Sequence, residues 1–147
     1  MTRDPFMDAA LEEARKSLAE GGIPIGSVLV HEGRIIGRGH NCRVQTGSAI
    51  DHGEMNCLRN AGRLPARVYR NSTIYSTLSP CPMCSGAIVL YKIPRVVVGE
   101  NENFHGAEDY MRANGIEVEV VQDAGCIRMM ADFIRDQPLL WHEDIGI

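Results

Sequence analysis

Two short stretches carry residue types able to do metal-assisted chemistry: His52-Gly53-Glu54 and Ser79-Pro80-Cys81-Pro82-Met83-Cys84. One imidazole and two thiolates can supply three ligands to a zinc ion. The fourth position is then left for water, which marks a catalytic site; a structural site closes with four protein ligands. Glu54 follows His52 by two residues and is not needed as a ligand, so it is free to move protons. Each piece alone is weak. A C-x-x-C pair is often a redox couple, a single His is usually a surface or core residue, and H-x-E alone means little. Together, with a proline on either side of Cys81, they specify a zinc site with ligands His52, Cys81 and Cys84 and with Glu54 as acid and base.

These residues need rigid elements to hold them. Cys81 and Cys84 are three apart, which places them on one helix face, one turn from each other. Pro82 suits a first helical turn. A helix starting at Pro80 to Pro82 and running to about residue 91 therefore carries both thiolates at its positive end, where the dipole lowers a thiol pKa. The run Asp51 to Leu58 reads as the opening of a second helix, with Asp51 as its N-terminal residue and Gly62 as its stop. Thr73 to Leu78 is a β-prone run aimed at the cysteine pair.

The remaining chain frames these elements. A helix is expected over 4–21, begun by Asp4-Pro5 and stopped by Gly21-Gly22. Strands over 24–31 and 34–42 flank a Glu32-Gly33 hairpin turn. Gly26, Gly37 and Gly39 in those strands suggest close approach of backbone or ligand. Residues 43–50 and 63–71 read as connections. Arg95 to Gly99 is an apolar strand, expected to be buried on both faces. A polar loop over 100–105, a short helix over 107–113, a strand over 117–121 and a helix over 124–136 follow. Pro138 ends that helix, and the tail from Leu139 holds the only Trp.

Helix crossovers between the third, fourth and fifth strands require those strands to run parallel. The expected fold is α/β: a three-layer α/β/α sandwich, a five-stranded mixed sheet flanked by helices, forming a single domain over 1–147. The metal helices are expected along one edge of the sheet, with the site at strand ends.

Composition narrows the functions. Apolar residues make up 44 % and charged residues 23 % of the 147-residue chain, as in globular proteins. No apolar run reaches the length of a membrane span and the N-terminus does not resemble a signal peptide, so the expected location is cytoplasmic. The formal charge of −4 argues against a nucleic-acid partner, because such binders usually carry a basic face. Five cysteines, an odd number, argue against a disulfide framework. Cys42, Cys57 and Cys126 read as ordinary buried small residues. His31, His40 and His142 show no ligand partners in sequence.

H-x-E followed by P-C-x-x-C characterises zinc-dependent base deaminases. Nearly the whole chain resembles the fungal-type cytosine deaminases of the cytidine deaminase-like superfamily. The likeness extends to Gly21 through Gly26, Gly37-Arg38-Gly39-His40-Asn41, Gly47-Ser48-Ala49, Leu78 through Cys84, Ile93 through Asn101, Asn103-Phe104 and Trp141 through Gly146. That resemblance implies Zn2+ as cofactor, a small nucleobase as substrate and a homodimer. It implies that Asn41 bonds the N1/O2 edge of a pyrimidine and that the Gly53 N–H meets O2. The ring would stack between His52 and Phe104, Trp141 would wall the pocket, and Asp144 and the Ser79 carbonyl would lie near the exocyclic amine. The implied reaction is cytosine and water to uracil and ammonia, with Zn2+ lowering the pKa of a bound water from about 15.7 to about 7. Glu54 would move protons to the ring nitrogen and then to the leaving amine.

Four positions depart from the fungal pattern: Cys42 for Met, Val44 for Phe, Asp51 for an apolar residue and His142 for Phe. They leave open another small aminated base, such as isocytosine, or a nucleoside. Further from this reading stand tRNA adenosine deamination, a non-catalytic zinc-binding domain and a C-x-x-C thiol oxidoreductase. The last predicts a titratable disulfide and no metal.

Overall fold

A computed structural model describes residues 4–147; Met1 to Arg3, part of the single domain expected over 1–147, lie outside the described residues. The chain begins with α1 (Pro5–Ala19), whose start is fixed by Pro5 in the first turn and by Asp4, which accepts the Phe6 N–H at 2.9 Å. The hairpin β1 (Gly26–His31) and β2 (Arg34–His40) turns through Glu32 and Gly33, both at positive φ (50° and 76°). That is the geometry that matches the strands' own twist. A single helical turn, α2 (Arg43–Thr46), precedes α3 (Gly53–Ala61), and another, α4 (Ala66–Tyr69), follows it. Then come β3 (Ser72–Ser76), α5 (Pro82–Tyr91), β4 (Arg95–Val98), α6 (Glu108–Ala113), β5 (Glu117–Val120), α7 (Ala124–Asp136) and α8 (Pro138–Asp144).

The sheet has the order β2-β1-β3-β4-β5. β1 is antiparallel to both β2 and β3, while β3, β4 and β5 run parallel, as the crossovers demand. The expected five-stranded mixed sheet between helical layers is therefore the observed one. Strand alternation sorts side chains to two faces. Val28, Val30, Tyr75 and Val97 pack with Met7, Ala10, Leu11 and Ala14 of α1 and with Cys126 of α7. Leu29, Ile74, Val96 and Val98 pack on the other face with Cys57, Ile88 and Met111 of α3, α5 and α6. Val96, Val97 and Val98 are all at most 1 % exposed, so β4 is buried on both faces as its composition requires.

A third cluster, Ile23, Ile25, Leu78, Met130, Phe133 and Trp141, covers the end of the sheet where β3 stops. The strand glycines mark backbone approach. A Cβ at Gly26 would strike the Ala10 carbonyl of α1, and one at Gly39 would strike α3 at Asn56 and Cys57.

Several expectations need correction. Of the metal helices, α3 packs on the edge strand β2 and on β1, as expected, while the site lies beyond the end of β3, the middle strand. The connections 43–50 and 63–71 each contain a helical turn too short to show a period, and the tail is a helix that Pro138 opens while it closes α7. Asp51 does not cap α3. His52 occupies the N-cap, and Asp51 is fully buried, accepting from Thr46 Oγ1 (3.0 Å) and Asn56 Nδ2 (3.2 Å) and pairing with Arg59 (3.2 Å). Its charge is thus partnered, which is how an acid stands where an apolar residue was expected. Cys57 and Cys126 are buried, but Cys42 is only half-buried.

Candidate active site

Two helix N-termini meet beyond the end of β3. His52 caps α3 and Cys81 caps α5, with Pro82 in the first turn of α5 and Cys84 one turn in. The three ligand atoms of His52, Cys81 and Cys84 lie within 4.8 Å of one another, and His52 Nδ1 stands 3.5 Å from Cys81 Sγ. A borderline cation taking one nitrogen and two sulfurs fits this donor set, with a fourth position on the cavity side. Gly53 sits between ligand and acid because α3 presses on β1: a Cβ there would crowd the Ile25 backbone.

Electrostatics splits the two thiols, whereas the helix dipole alone was expected to lower both. Hydrogen bonding from Cys84 and from His52 brings Cys81 down to about 4, against the opposing effect of burial. Cys84, the donor in that pair and deeply buried, is pushed well up. For His52 burial opposes the charged form, but the hydrogen bond to Cys81 and the charge of Asp144 outweigh it and raise the ring to about 9. Without metal the site is an imidazolium–thiolate pair with one spare thiol proton. A cation takes the place of those protons. Burial, reinforced by the Cys81 charge, pushes Glu54 up to about 7, where a carboxylate can both take and give a proton near neutral pH. Glu54 is 4 % exposed and accepts from Ser76 Oγ at 3.2 Å.

The other side of the cavity is built by loops and the tail. Asp144 of α8 reaches down to His52 (Oδ1 to Nε2, 3.6 Å) and accepts from Asn41 Nδ2 at 2.8 Å. Asn41 Oδ1 in turn accepts the Arg43 N–H at 3.1 Å. Phe104 meets Trp141 edge-on, with centroids 5.7 Å apart at 83°. Ser79 Oγ donates to the buried Glu108 (2.7 Å) and accepts from the Gly106 N–H (2.9 Å), joining the strand end to the Phe104 loop. The loop is shaped by Glu100, which is fully buried and accepts the N–H groups of Glu102 and Asn103.

Residues 1–100 match the family model of the cytidine and deoxycytidylate deaminase zinc-binding region. The chain belongs to this family. It is 54 % identical over 141 residues to a cytosine deaminase of Candida albicans, covering 95 % of this chain and 94 % of the relative. It is 41 % identical over 141 residues to a tRNA-specific adenosine deaminase of Streptococcus pyogenes, covering 88 % of each. Among solved structures, a tRNA:A34 deaminase superposes with a TM-score of 0.74 at 29 % identity, over 86 % of this chain and 99 % of that one. A guanine deaminase from Nitrosomonas europaea superposes at 0.72 and 21 % identity, over 90 % and 86 %, and shares the fold. The protein is a zinc-dependent deaminase, a hydrolase.

For a deaminase of this family the residues gather tightly. His52, Glu54, Ser79, Cys81, Phe104, Trp141 and Asp144 line one cavity, Cys84 lies buried beneath it, and Asn41 reaches it through Asp144. Gly53 contributes backbone between His52 and Glu54. Sequence reasoning missed Ile25, Leu78 and Ile145, which complete the lining, and Ser76, which supports Glu54. Leu78 and Ile25 carry no chemical signal; Ser76 was findable as the last residue of the strand aimed at the cysteines. The cavity is small, with a volume of ≈ 10 Å³, about room for one water. A larger groove of ≈ 540 Å³, between the end of α1 and α7, holds none of the site residues.

Proposed function

We propose that this deaminase acts on a free pyrimidine base, converting cytosine and water to uracil and ammonia. The observation that carries this reading is the 54 % identity to the Candida albicans cytosine deaminase, over 95 % of this chain and 94 % of that one. The tail supports it: α8 lays Trp141 and Asp144 over the cavity that His52, Glu54 and Cys81 line.

His52, Cys81 and Cys84 would hold zinc, which when bound supplies the Lewis acidity that makes water nucleophilic at neutral pH. Glu54 takes one proton from water as its oxygen adds to C4, and gives it to N3. The second water proton passes through Glu54 to the exocyclic amine, which leaves as ammonia. Asn41 and the Gly53 N–H hold the polar edge of the base; N–H groups in a first helical turn have no intrahelical acceptor. His52 and Phe104 sandwich the ring, Trp141 walls it, and Asp144 with the Ser79 carbonyl receives the amine. Arg43, 3.9 Å from Asp144, and Asn41 keep that carboxylate in place.

We also propose a cytoplasmic homodimer. No helix among the described residues is long and apolar enough to cross a membrane. Ile50 and Tyr91, 55 % and 46 % exposed, line a groove with Met55, Leu58 and Tyr69. Such a patch is of the kind that a second copy covers.

Ultraviolet-monitored turnover of zinc-loaded protein with cytosine, with ammonia assayed in the same tube, tests the proposal. Stoichiometric ammonia is expected. Zinc-loaded, folded protein inert toward cytosine would overturn the substrate while leaving the family membership intact. The 41 % identity to tRNA-specific relatives favours one second reading, adenosine deamination in an anticodon stem-loop. The same preparation tested on that RNA decides between them, and the net charge of −4 predicts no inosine.

A further inference from the structure

A second cluster of ligand-type atoms lies where α1 ends against the exit of β2. Glu20, His40 and Cys42 each place one ligand atom within 4.8 Å of the others, the same closeness that His52, Cys81 and Cys84 achieve. The two clusters share no residue. His40 Nε2 is 2.9 Å from Glu20 Oε1. The other ring nitrogen, Nδ1, is 2.9 Å from Glu13 Oε1. Glu13 is buried, with its side chain 4 % exposed, and is anchored by Lys16 (2.7 Å) and Arg38 (2.8 Å). These partners hold its carboxyl down at about 2, against the effect of burial, so it stays an anion. A buried carboxylate accepting one imidazole N–H is the arrangement that orients a metal-bound histidine and fixes which nitrogen faces the ion. Glu20 is itself steered: Gln45 Nε2 donates to its Oε1 at 3.1 Å.

Both ring nitrogens of His40 face carboxylate oxygens, one of Glu13 and one of Glu20. One nitrogen, one sulfur and one carboxylate oxygen, half open to solvent, match a borderline divalent ion that keeps a water. The sequence did not reveal this because Glu20 is twenty residues from His40 and meets it only through packing of α1 on the hairpin.

We propose that Glu20, His40 and Cys42 form a second binding site for a borderline divalent transition-metal ion such as Zn2+, oriented by Glu13 and separate from the catalytic site. Binding takes Cys42 as its thiolate and His40 by the Nε2 lone pair, any proton on those atoms passing to solvent, and no electron moves. The occupied site would tie the end of α1 to the segment that presents Asn41.

Zinc-loaded protein is dialysed to equilibrium against micromolar free Zn2+, and bound zinc is counted per chain. The expected count is two for the native chain, and one for Cys42→Ser and for Glu20→Gln. The last two substitutions remove a half-buried and an exposed ligand without emptying the core. Cys81→Ser should lower the count at the other site only, so failure of the catalytic zinc reading is distinguishable from failure of this one. In parallel, excess Zn2+ should slow alkylation of Cys42 at least about tenfold in the native chain and not in Glu20→Gln, since only the thiolate that metal does not mask reacts. A native count of one, or a second equivalent that survives both substitutions, overturns the site.

Discussion

Replacing Glu54 by Gln separates the carboxylate's two effects, on turnover and on stability. Gln fits the same space beneath the cavity and can still accept from Ser76 Oγ. It cannot carry a proton. Each general acid–base step is worth about 10²–10⁴-fold, and Glu54 serves two transfers, so turnover should fall by at least about 10³-fold. Zinc should remain, because Glu54 is not among the three ligands. Stability should move the other way. Glu54 is raised from 4.5 to about 7, so the folded state disfavours its charged form. A raised acid costs nothing below its unfolded value; the cost grows as pH climbs from 4.5 and is complete above the folded value. At about 1.4 kcal/mol per unit the full cost is about 3 kcal/mol, reduced to about 2 by the weaker hydrogen bond that Gln makes. Zinc-free Glu54→Gln should therefore match the native chain near pH 4 and exceed it by about 2 kcal/mol at pH 9, some 4–8 °C in Tm. The assays are cytosine turnover, zinc content and thermal unfolding across pH. Turnover within tenfold of native, or loss of zinc with the charge, would refute the assignment of Glu54; equal stability at both pH values would refute its burial as an anion.

Three further outcomes follow from the same geometry. Zinc binding must displace a proton from His52, raised to about 9, and one from Cys84, raised further. Affinity should thus rise about a hundredfold per pH unit between pH 6 and 8, read by chelator competition; a flat profile contradicts the imidazolium–thiolate pair. Trp141→Ala removes a 5 % exposed ring that meets Phe104 and should cost about 3 kcal/mol in thermal unfolding while raising KM for cytosine with zinc content unchanged. An unchanged KM would remove Trp141 from the pocket wall. Glu13 is lowered from 4.5 to about 2, so its stabilisation is full above pH 4.5 and is lost as pH falls through 2. With Lys16 and Arg38 exposed enough to be screened, that is about 1–2 kcal/mol, and Glu13→Gln should flatten this part of an acid-unfolding curve.

Much of the site was legible because its chemistry is local. The candidate ligands His52, Cys81 and Cys84 and the proposed acid Glu54 fall within two short segments whose spacing already fixes their helical faces. The parallel β3, β4 and β5 followed from crossover length alone. Phe104, Trp141, Asn41 and Asp144 were named from resemblance, since nothing in their local pattern distinguishes a pocket wall from a loop anchor or a solvated acid.

Tertiary structure decided what depends on distant neighbours. Asp51 looked like a helix cap, yet its carboxylate turns inward to Arg59, Asn56 and Thr46, because burial with partners outweighs a local capping bond. The unequal thiols arise from one hydrogen bond between Cys81 and Cys84 and from unequal burial, neither of which a C-x-x-C spacing encodes. Asp144 reaches His52 and Asn41 across ninety residues or more of chain, and Glu20 meets His40 only where α1 crosses the hairpin. The sequence by itself determined which atoms can do the chemistry, since ligand type and helical spacing are properties of neighbouring residues. Only the folded chain decided their charge states and what closes over them, because pKa and enclosure are set by groups brought close by packing.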